Sequence, residues 1–180
     1  MTIDLKQGPK VPRIFTYEMH QDDPSKCTSA KMRKFGLARP IRKEQISRES
    51  IVLNPSADLV ILPEDRTNVV QHGIVVIDCS WNKAEDVFGT RFKGEQRKLP
   101  ALLAGNPTNY SKIASLSSLE AVAGALYIMN FKIEAQRLLS LYKWGDTFLS
   151  LNKDLLEDYS NAKTKDDMVS VEKAYFPQIH

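Results

Sequence analysis

A run of four apolar residues, Ile-Val-Val-Ile at positions 74–77, constrains the fold of this chain more than any other feature. Gly73 precedes the run and Asp78 follows it. Strands of a parallel sheet are covered on both faces, so they consist of uninterrupted apolar residues rather than alternating ones. The pattern predicts a buried strand with a carboxylate at its carboxyl end, which is the edge where α/β proteins bind ligands.

Other strands and short helices alternate with this run along the first half of the chain. Residues rich in β-branched and aromatic side chains predict strands at positions 11–19, 50–54 and 59–62. Turn and cap signals predict short helices at residues 28–35, with Thr28 or Ser29 as the N-cap, and at residues 63–72. This alternation favours an α/β fold with a mostly parallel sheet.

Helical periodicity replaces this pattern after Leu99. The sequence Ser-Ser-Leu-Glu at positions 117–120 is a capping box and predicts a helix to about Met129. Apolar spacing predicts three further helices: one from Phe131 that ends at Gly145, one over residues 148–159, and one capped by Thr164 that ends at Pro177. We therefore predict an α/β domain at residues 1–98 and an all-helical domain at residues 99–180.

Composition and motifs exclude several classes of protein. The 180 residues contain two cysteines and three histidines without the spacing of metal ligands, so no metal is expected. No GxGxxG, P-loop or HExxH motif is present, which removes the main support for nicotinamide, nucleotide-hydrolysis and zinc-protease functions. The first residues lack an apolar segment and no stretch is long enough to cross a bilayer, so we expect a cytoplasmic protein with no membrane partner.

Basic residues cluster in two segments although the net charge is only +3. Residues 26–43 contain seven basic residues and no acid, and a second basic loop covers residues 91–98. A solvated face is the usual meaning of such a run, but one sign of charge without acids is also how proteins contact phosphates. The candidate phosphate contacts are Lys26, Lys31, Arg33, Lys34, Arg91 and Lys93.

The best candidate site in the sequence is the strand end at Asp78, with Trp81 and the loop of small residues that follows Leu99. Asp78 is a candidate general base or positioning acceptor, or else a turn cap. Trp81 either packs on a ligand or belongs to the core. Thr28 is either a helix cap or an anchor for an anionic group at a helix N-terminus. The same loop contains Asn106, Asn109 and Tyr110, which are expected to brace it.

Four segments carry a resemblance to a known family. The segments IDCSW, RKLPALLAGNPTNY, SLSSLEAVAGALY and KWGDTFLSLNKDLLEDY resemble the ribosome-biogenesis aminocarboxypropyltransferases, and the similarity extends from about residue 22 to the C-terminal helices. That family transfers the 3-amino-3-carboxypropyl (acp) group of S-adenosylmethionine to a pseudouridine, or N1-methylpseudouridine, of small-subunit ribosomal RNA. Its fold is similar to that of the knotted RNA methyltransferases, which implies a deep trefoil knot.

The resemblance also implies site residues. The family holds its cofactor largely through backbone groups at positions that match Thr28, Ile77, Leu99, Ala114 and Ser118. Leu53 and Pro55 match an apolar wall near the adenine, Trp81 matches a tryptophan beside the methionine chain, and Asp78 matches the acid nearest the transferred carbon. Many relatives have an aromatic residue in place of Ala114, a change that a backbone contact survives and a stacking contact does not.

The implied partner is small-subunit ribosomal RNA or a pre-ribosomal particle, bound by a monomer. Two other functions stay open at this point: a non-catalytic RNA-binding assembly factor, and an RNA methyltransferase. Binding of S-adenosylmethionine would distinguish the enzyme from the assembly factor. The carbon of the cofactor that reaches the RNA would distinguish acp transfer from methyl transfer.

Overall fold

The computed structural model describes residues 11–19, 27–79, 83–90 and 92–179, and these residues contain a five-stranded sheet. Each pairing in the sheet is parallel, and the strand order is β2-β1-β4-β3-β5. The prediction of a mostly parallel sheet is therefore confirmed. The strands are β1 (Ile14–Glu18), β2 (Arg39–Pro40), β3 (Ile51–Leu53), β4 (Ile74–Asp78) and β5 (Glu95–Arg97).

The central strand is β4, the apolar run identified in the sequence. Ile74 and Val76 pack into a large core on one face of the sheet. Val75 and Ile77 pack into a smaller core on the other face, with Phe92. Because both faces are covered, every position of the run is buried, which explains why the run is continuous rather than alternating.

Two strand predictions need correction, and two strands were missed. The first strand is shorter than the predicted residues 11–19, because only residues 14–18 pair with a neighbour. Residues 59–62 form no strand; Val60 makes only an isolated bridge to Lys98. The edge strands β2 and β5 were not predicted, because their partly exposed polar residues lack an apolar signal.

Seven α-helices accompany the sheet in the described part of the chain. Three of them lie between the strands, and four follow β5, after which no further strand occurs in the described residues. This agrees with the predicted helical second half. The helices are α1 (Thr28–Lys34), α2 (Arg66–His72), α3 (Ala84–Phe88), α4 (Ser118–Ile128), α5 (Lys132–Leu139), α6 (Gly145–Asn161) and α7 (Lys165–Tyr175).

The caps of these helices test the sequence reasoning directly. The predicted capping boxes at Ser117 and Thr164 are both confirmed. At α1 the prediction was wrong, since Cys27, rather than Thr28 or Ser29, accepts the capping hydrogen bond, with Ala30 N as its donor.

Gly145 does not end α5, as predicted, but begins α6. A Cβ atom at Gly145 would lie 2.0 Å from Leu139 O, so close packing against the end of α5 requires glycine here.

One large core connects the two halves of the chain. It contains Ile14 and Val76 from the sheet together with Leu126, Phe148 and Met168 from the helices. The boundary predicted at residue 98 therefore crosses a shared core, and the division into two domains stays a prediction. In the described residues, no helix combines the length and apolar character needed to cross a membrane.

Candidate active site

A cavity of about 160 Å³ opens at the carboxyl ends of β3, β4 and β5. This is the sheet edge at which the sequence predicted a ligand site. Six of the eight predicted cofactor residues line it: Leu53, Pro55, Ile77, Leu99, Ala114 and Ser118. Cys79, Phe88, Leu116 and Ala121 also line it and were not predicted. The lining is mainly apolar, which suits a flat aromatic ligand group held by a few polar contacts.

The two remaining predicted cofactor residues have different outcomes. Trp81 lies outside the described residues. Thr28 is described, but it is not among the residues that line the cavity. Its hydroxyl accepts a hydrogen bond from Leu119 N at 3.2 Å and so connects the start of α1 to the first turn of α4.

Ala114 has a left-handed backbone conformation, with φ of 59°. Its N–H donates to Leu102 O at 2.9 Å, so that donor is already paired within the protein. The carbonyl is therefore the backbone group of Ala114 best suited to meet a ligand. The side chain is a single methyl group, which leaves the cavity open at this position.

The carboxylate of Asp78 is the centre of a hydrogen-bonded cluster beside the cavity. Its Oδ1 accepts a hydrogen bond from Ser118 Oγ at 2.7 Å. Its Oδ2 accepts from Ser29 Oγ at 2.7 Å and from Cys27 Sγ at 2.8 Å. A carboxylate has about four acceptor positions, so three donors orient the group and leave about one position for another partner. Ser118 connects this cluster to the wall of the cavity.

Cys27 acts in this cluster as a thiol. Its burial, together with the hydrogen bond to Asp78, raises the pKa of the Cys27 thiol above its ordinary value. The group is therefore protonated at neutral pH and can donate to the carboxylate. Sequence reasoning considered Cys27 only as a reduced cysteine, because no pattern in the sequence places it beside Asp78.

Glu18 brings a second carboxylate to the cluster. It ends β1 and lies in register with Asp78 at the end of β4. Arg33 donates two hydrogen bonds to it, at 2.6 and 2.7 Å, and Ser29 Oγ lies 3.0 Å from it. Since a hydroxyl donates one proton at a time, the shorter contact assigns the Ser29 proton to Asp78. The strand-end rule that selected Asp78 applies equally to Glu18 and would have found it.

The ligand atoms of Glu18, Cys27 and Asp78 lie within 4.8 Å of one another, which is close enough to consider a metal ion. Their chemistry favours a different assignment. Arg33 already neutralises Glu18, and the Cys27 thiol donates its hydrogen bond to Asp78, so both groups are engaged within the protein. We therefore interpret the group as a hydrogen-bonded cluster that fixes Asp78.

The loop after Leu99 is braced by buried polar side chains of the helical half. Glu120, fully buried at the start of α4, accepts hydrogen bonds from Gly105 N at 2.7 Å and Asn106 N at 3.0 Å. It also accepts from Ser117 N and from Asn106 Nδ2, each at 2.7 Å. The capping box was visible in the sequence, but the second role of its glutamate was not.

The same loop is held at two more points. Asn152 of α6 accepts from Leu103 N and donates to Leu103 O, both at 2.8 Å. Ala101 N donates to Glu172 of α7 at 2.6 Å, and Tyr159 Oη donates to Ala101 O at 3.2 Å. These side chains satisfy backbone groups that a strand partner would otherwise satisfy. They fix the loop that carries Leu99 and Pro100 into the cavity wall.

Of the three residues predicted to brace this loop, one does so and two do not. Asn106 braces it as expected, because its Oδ1 accepts from Asn109 N at 3.0 Å. Among the described residues, the Asn109 side chain accepts only a long bond of 3.4 Å, from Lys112 Nζ. Tyr110 is 58% exposed, which is a surface position rather than a bracing one.

The candidate RNA residues lie in different surroundings. Lys34 and Lys93 are exposed. The ammonium of Lys31 lies 3.9 Å from the ring centroid of Tyr142, and Arg33 is bound to Glu18. Lys26 and Arg91 fall outside the described residues. Lys34 and Lys93 therefore present the least engaged charges of the four that are described.

The fold and the cavity define an α/β protein with a ligand site at the carboxyl edge of a parallel sheet. Residues 51–176 match the family described as "Ribosome biogenesis protein, C-terminal", and the chain belongs to this family. Residues 12–45 match a "Possible Fer4-like domain in RNase L inhibitor, RLI". Iron–sulfur clusters are held by several cysteines, and Cys27 is the only cysteine within that range.

Curated relatives and a solved structure resemble the chain over nearly its whole length. A protein of Methanocaldococcus jannaschii named "16S rRNA aminocarboxypropyltransferase" is 44% identical, over 92% of this chain and 96% of its own. One of the same name from Thermoplasma acidophilum is 45% identical, over 91% and 98%. The structure of the SAM-dependent rRNA:acp-transferase Tsr3 from Vulcanisaeta distributa has a TM-score of 0.86 and 41% identity, covering 92% of this chain and 89% of that one.

Proposed function

We propose that this protein transfers the acp group of S-adenosylmethionine to a pseudouridine, or N1-methylpseudouridine, of small-subunit ribosomal RNA during ribosome biogenesis. The observation that carries the proposal is the apolar cavity at the carboxyl edge of the sheet, with Ser118 connecting it to the oriented carboxylate of Asp78. The relatives' names add the acp donor and the ribosomal RNA as expected substrates.

The residues of the cavity suit the two ends of the donor. Leu53 and Pro55 offer an apolar wall for the adenine, and Ala114 leaves room and a backbone carbonyl. Trp81, three residues beyond Asp78, is proposed to lie beside the methionine chain. We propose that both halves of the chain are needed, since the wall is formed by residues on either side of position 98.

The reaction is a displacement at a sulfonium. S-adenosylmethionine supplies an acp carbon already activated by its bond to sulfur. A bond forms between that carbon and the imide nitrogen of the uracil ring, while the carbon–sulfur bond breaks and methylthioadenosine leaves. The cavity determines which carbon of the sulfonium faces the nucleophile, so orientation selects acp transfer over methyl transfer.

Asp78 is proposed to act on the imide nitrogen, which is a weak nucleophile until it loses its proton. A carboxylate nearby can accept that proton or orient the N–H group. The three donors from Cys27, Ser29 and Ser118 favour orientation, because they occupy most of the acceptor positions of the carboxylate. Ser118 and Ser29 are positioning residues in this scheme.

Three further features belong to the proposal. We propose that the C-terminal part is threaded through a loop of the N-terminal sheet as a deep trefoil knot, which the likeness to the knotted RNA methyltransferases supports. We propose that the protein works as a monomer on the RNA or on a pre-ribosomal particle. A cytoplasmic location stays a prediction of the sequence.

A titration of the purified protein with S-adenosylmethionine tests the cofactor assignment. We expect saturable binding of one molecule per chain, measured by calorimetry without RNA, because the cavity is formed by the protein alone. A non-catalytic RNA-binding factor would show no such binding. Absence of heat at millimolar cofactor, with a normal thermal melt, would contradict the proposal.

A further inference from the structure

A second cavity lies at the same edge of the sheet as the cofactor cavity. It has a volume of about 500 Å³ and opens at the carboxyl ends of β1 and β2. Glu18, which lines it, lies in register with Asp78, so the two carboxylates separate this cavity from the cofactor cavity on β3, β4 and β5. We call it the basic cavity; the lining residues used here are Thr16, Glu18, Arg33, Arg42, Lys43 and Glu44.

The charges of the basic cavity favour an anion. Arg33 and Glu18 neutralise each other in their ion pair. The other charged residues that line the cavity are two bases, Arg42 and Lys43, and one acid, Glu44. Arg42 is exposed, and the Lys43 ammonium lies 4.8 Å from the ring centroid of Phe92. Three of the seven basic residues of the acid-free segment, Arg33, Arg42 and Lys43, thus line one concave site.

Thr16 is among the lining residues, but its hydroxyl is buried. The residue is 1% exposed, and its Oγ1 has no hydrogen-bond partner among the described residues. The charged donors that a ligand in the cavity can meet are therefore those of Arg42 and Lys43. Two cations at one concave site are a combination that contacts RNA phosphates.

We infer that the basic cavity binds a backbone phosphate of the RNA substrate, next to the nucleotide that receives the acp group. This inference rests on the proposed function, because the acceptor base must reach Asp78 from the side that the cofactor does not occupy. The basic cavity holds the neighbouring backbone and thereby places the base between the two cavities.

The experiment compares Arg42→Gln and Lys43→Gln with the control Arg48→Gln. Arg48 is exposed and lies near the start of β3, toward the opposite edge of the sheet. The affinity for a labelled fragment of small-subunit ribosomal RNA is measured by fluorescence anisotropy at several salt concentrations. Cofactor affinity and thermal melts are measured in parallel.

We expect Arg42→Gln to weaken RNA binding about tenfold and to lower the salt slope by ~1. Lys43→Gln should also weaken RNA binding and lower the salt slope by ~1, because it removes the second cation of the cavity. Cofactor affinity should not change in either variant, and Arg48→Gln should behave as the wild type.

Wild-type RNA affinity and salt slope in both variants would overturn the inference. So would a loss in Arg48→Gln equal to that in Arg42→Gln, because the effect would then be general surface charge. In either case acp transfer by the wild-type protein would leave the proposed function standing, whereas a wild type that transfers no acp group would contradict the proposed function itself.

Discussion

Replacing Asp78 with asparagine should lower single-turnover acp transfer by about a hundred- to ten-thousandfold, because the amide lacks the negative charge with which Asp78 orients the imide N–H group or accepts its proton. Cofactor affinity should change little, because the proposed cofactor contacts are apolar side chains and backbone groups. Transfer is measured with RNA and S-adenosylmethionine both saturating, beside a binding isotherm for the cofactor.

The structure indicates that the Asp78→Asn protein keeps its fold. The amide oxygen of asparagine can accept from Cys27 and Ser29, and its nitrogen can donate to Ser118, whose hydroxyl is able to accept. The matched control is Asp154→Asn, an exposed position on α6. Full transfer in Asp78→Asn would remove Asp78 from the mechanism, and a lowered melting temperature with weakened cofactor binding would make its role structural.

Replacing Ala121 with phenylalanine should weaken S-adenosylmethionine binding by at least about a hundredfold, equivalent to ~2.7 kcal/mol. Ala121 is half-buried on α4 and lines the cofactor cavity, so a phenyl group there occupies the space proposed for the ligand. The measurement is a calorimetric titration with a thermal melt.

Ser150→Phe is the matched control for Ala121→Phe, because it adds the same ring at an exposed helical position on α6. It should bind the cofactor as the wild type does. If Ala121→Phe folds and also binds normally, the cofactor does not occupy this cavity, and the assignment of Leu53, Pro55 and Leu99 is wrong with it.

The sequence predicted the centre of the fold better than its edges. The run at β4 was identified because a strand buried on both faces must be apolar throughout. The edge strand β2 consists of Arg39 and Pro40, both exposed, so its pairing with β1 has no hydrophobic signature. Such strands are determined by the partner they pair with, which is tertiary information.

Helix N-caps were predicted correctly where the capping side chain hydrogen-bonds to its own helix. The prediction failed where that side chain hydrogen-bonds to a different helix. Ser117 and Thr164 cap as predicted. Thr28 has an equally suitable hydroxyl, but that group accepts from Leu119 N of α4, and Cys27 takes its place as the cap. Since the competing partner is 91 residues away in the chain, local preference could not reveal it.

For the candidate site, the sequence and the resemblance identified residues but not the contacts among them. Six predicted cofactor residues line one cavity, which supports the assignment without testing its chemistry. The donors to Asp78 from Cys27 and Ser29, and the neighbouring Glu18, come from two other elements, α1 with its cap and β1. Only the packing of α1 against the sheet edge brings them together.

The most direct test of acp transfer follows two labels of the same cofactor. S-adenosylmethionine with radiocarbon in its carboxyl group and tritium in its methyl group is incubated with the protein and small-subunit ribosomal RNA from cells that lack the modification. The account predicts that radiocarbon enters the RNA and that tritium leaves with methylthioadenosine. Tritium in the RNA would identify a methyltransferase instead, and an RNA that gains neither label while both ligands bind would contradict the proposed catalysis.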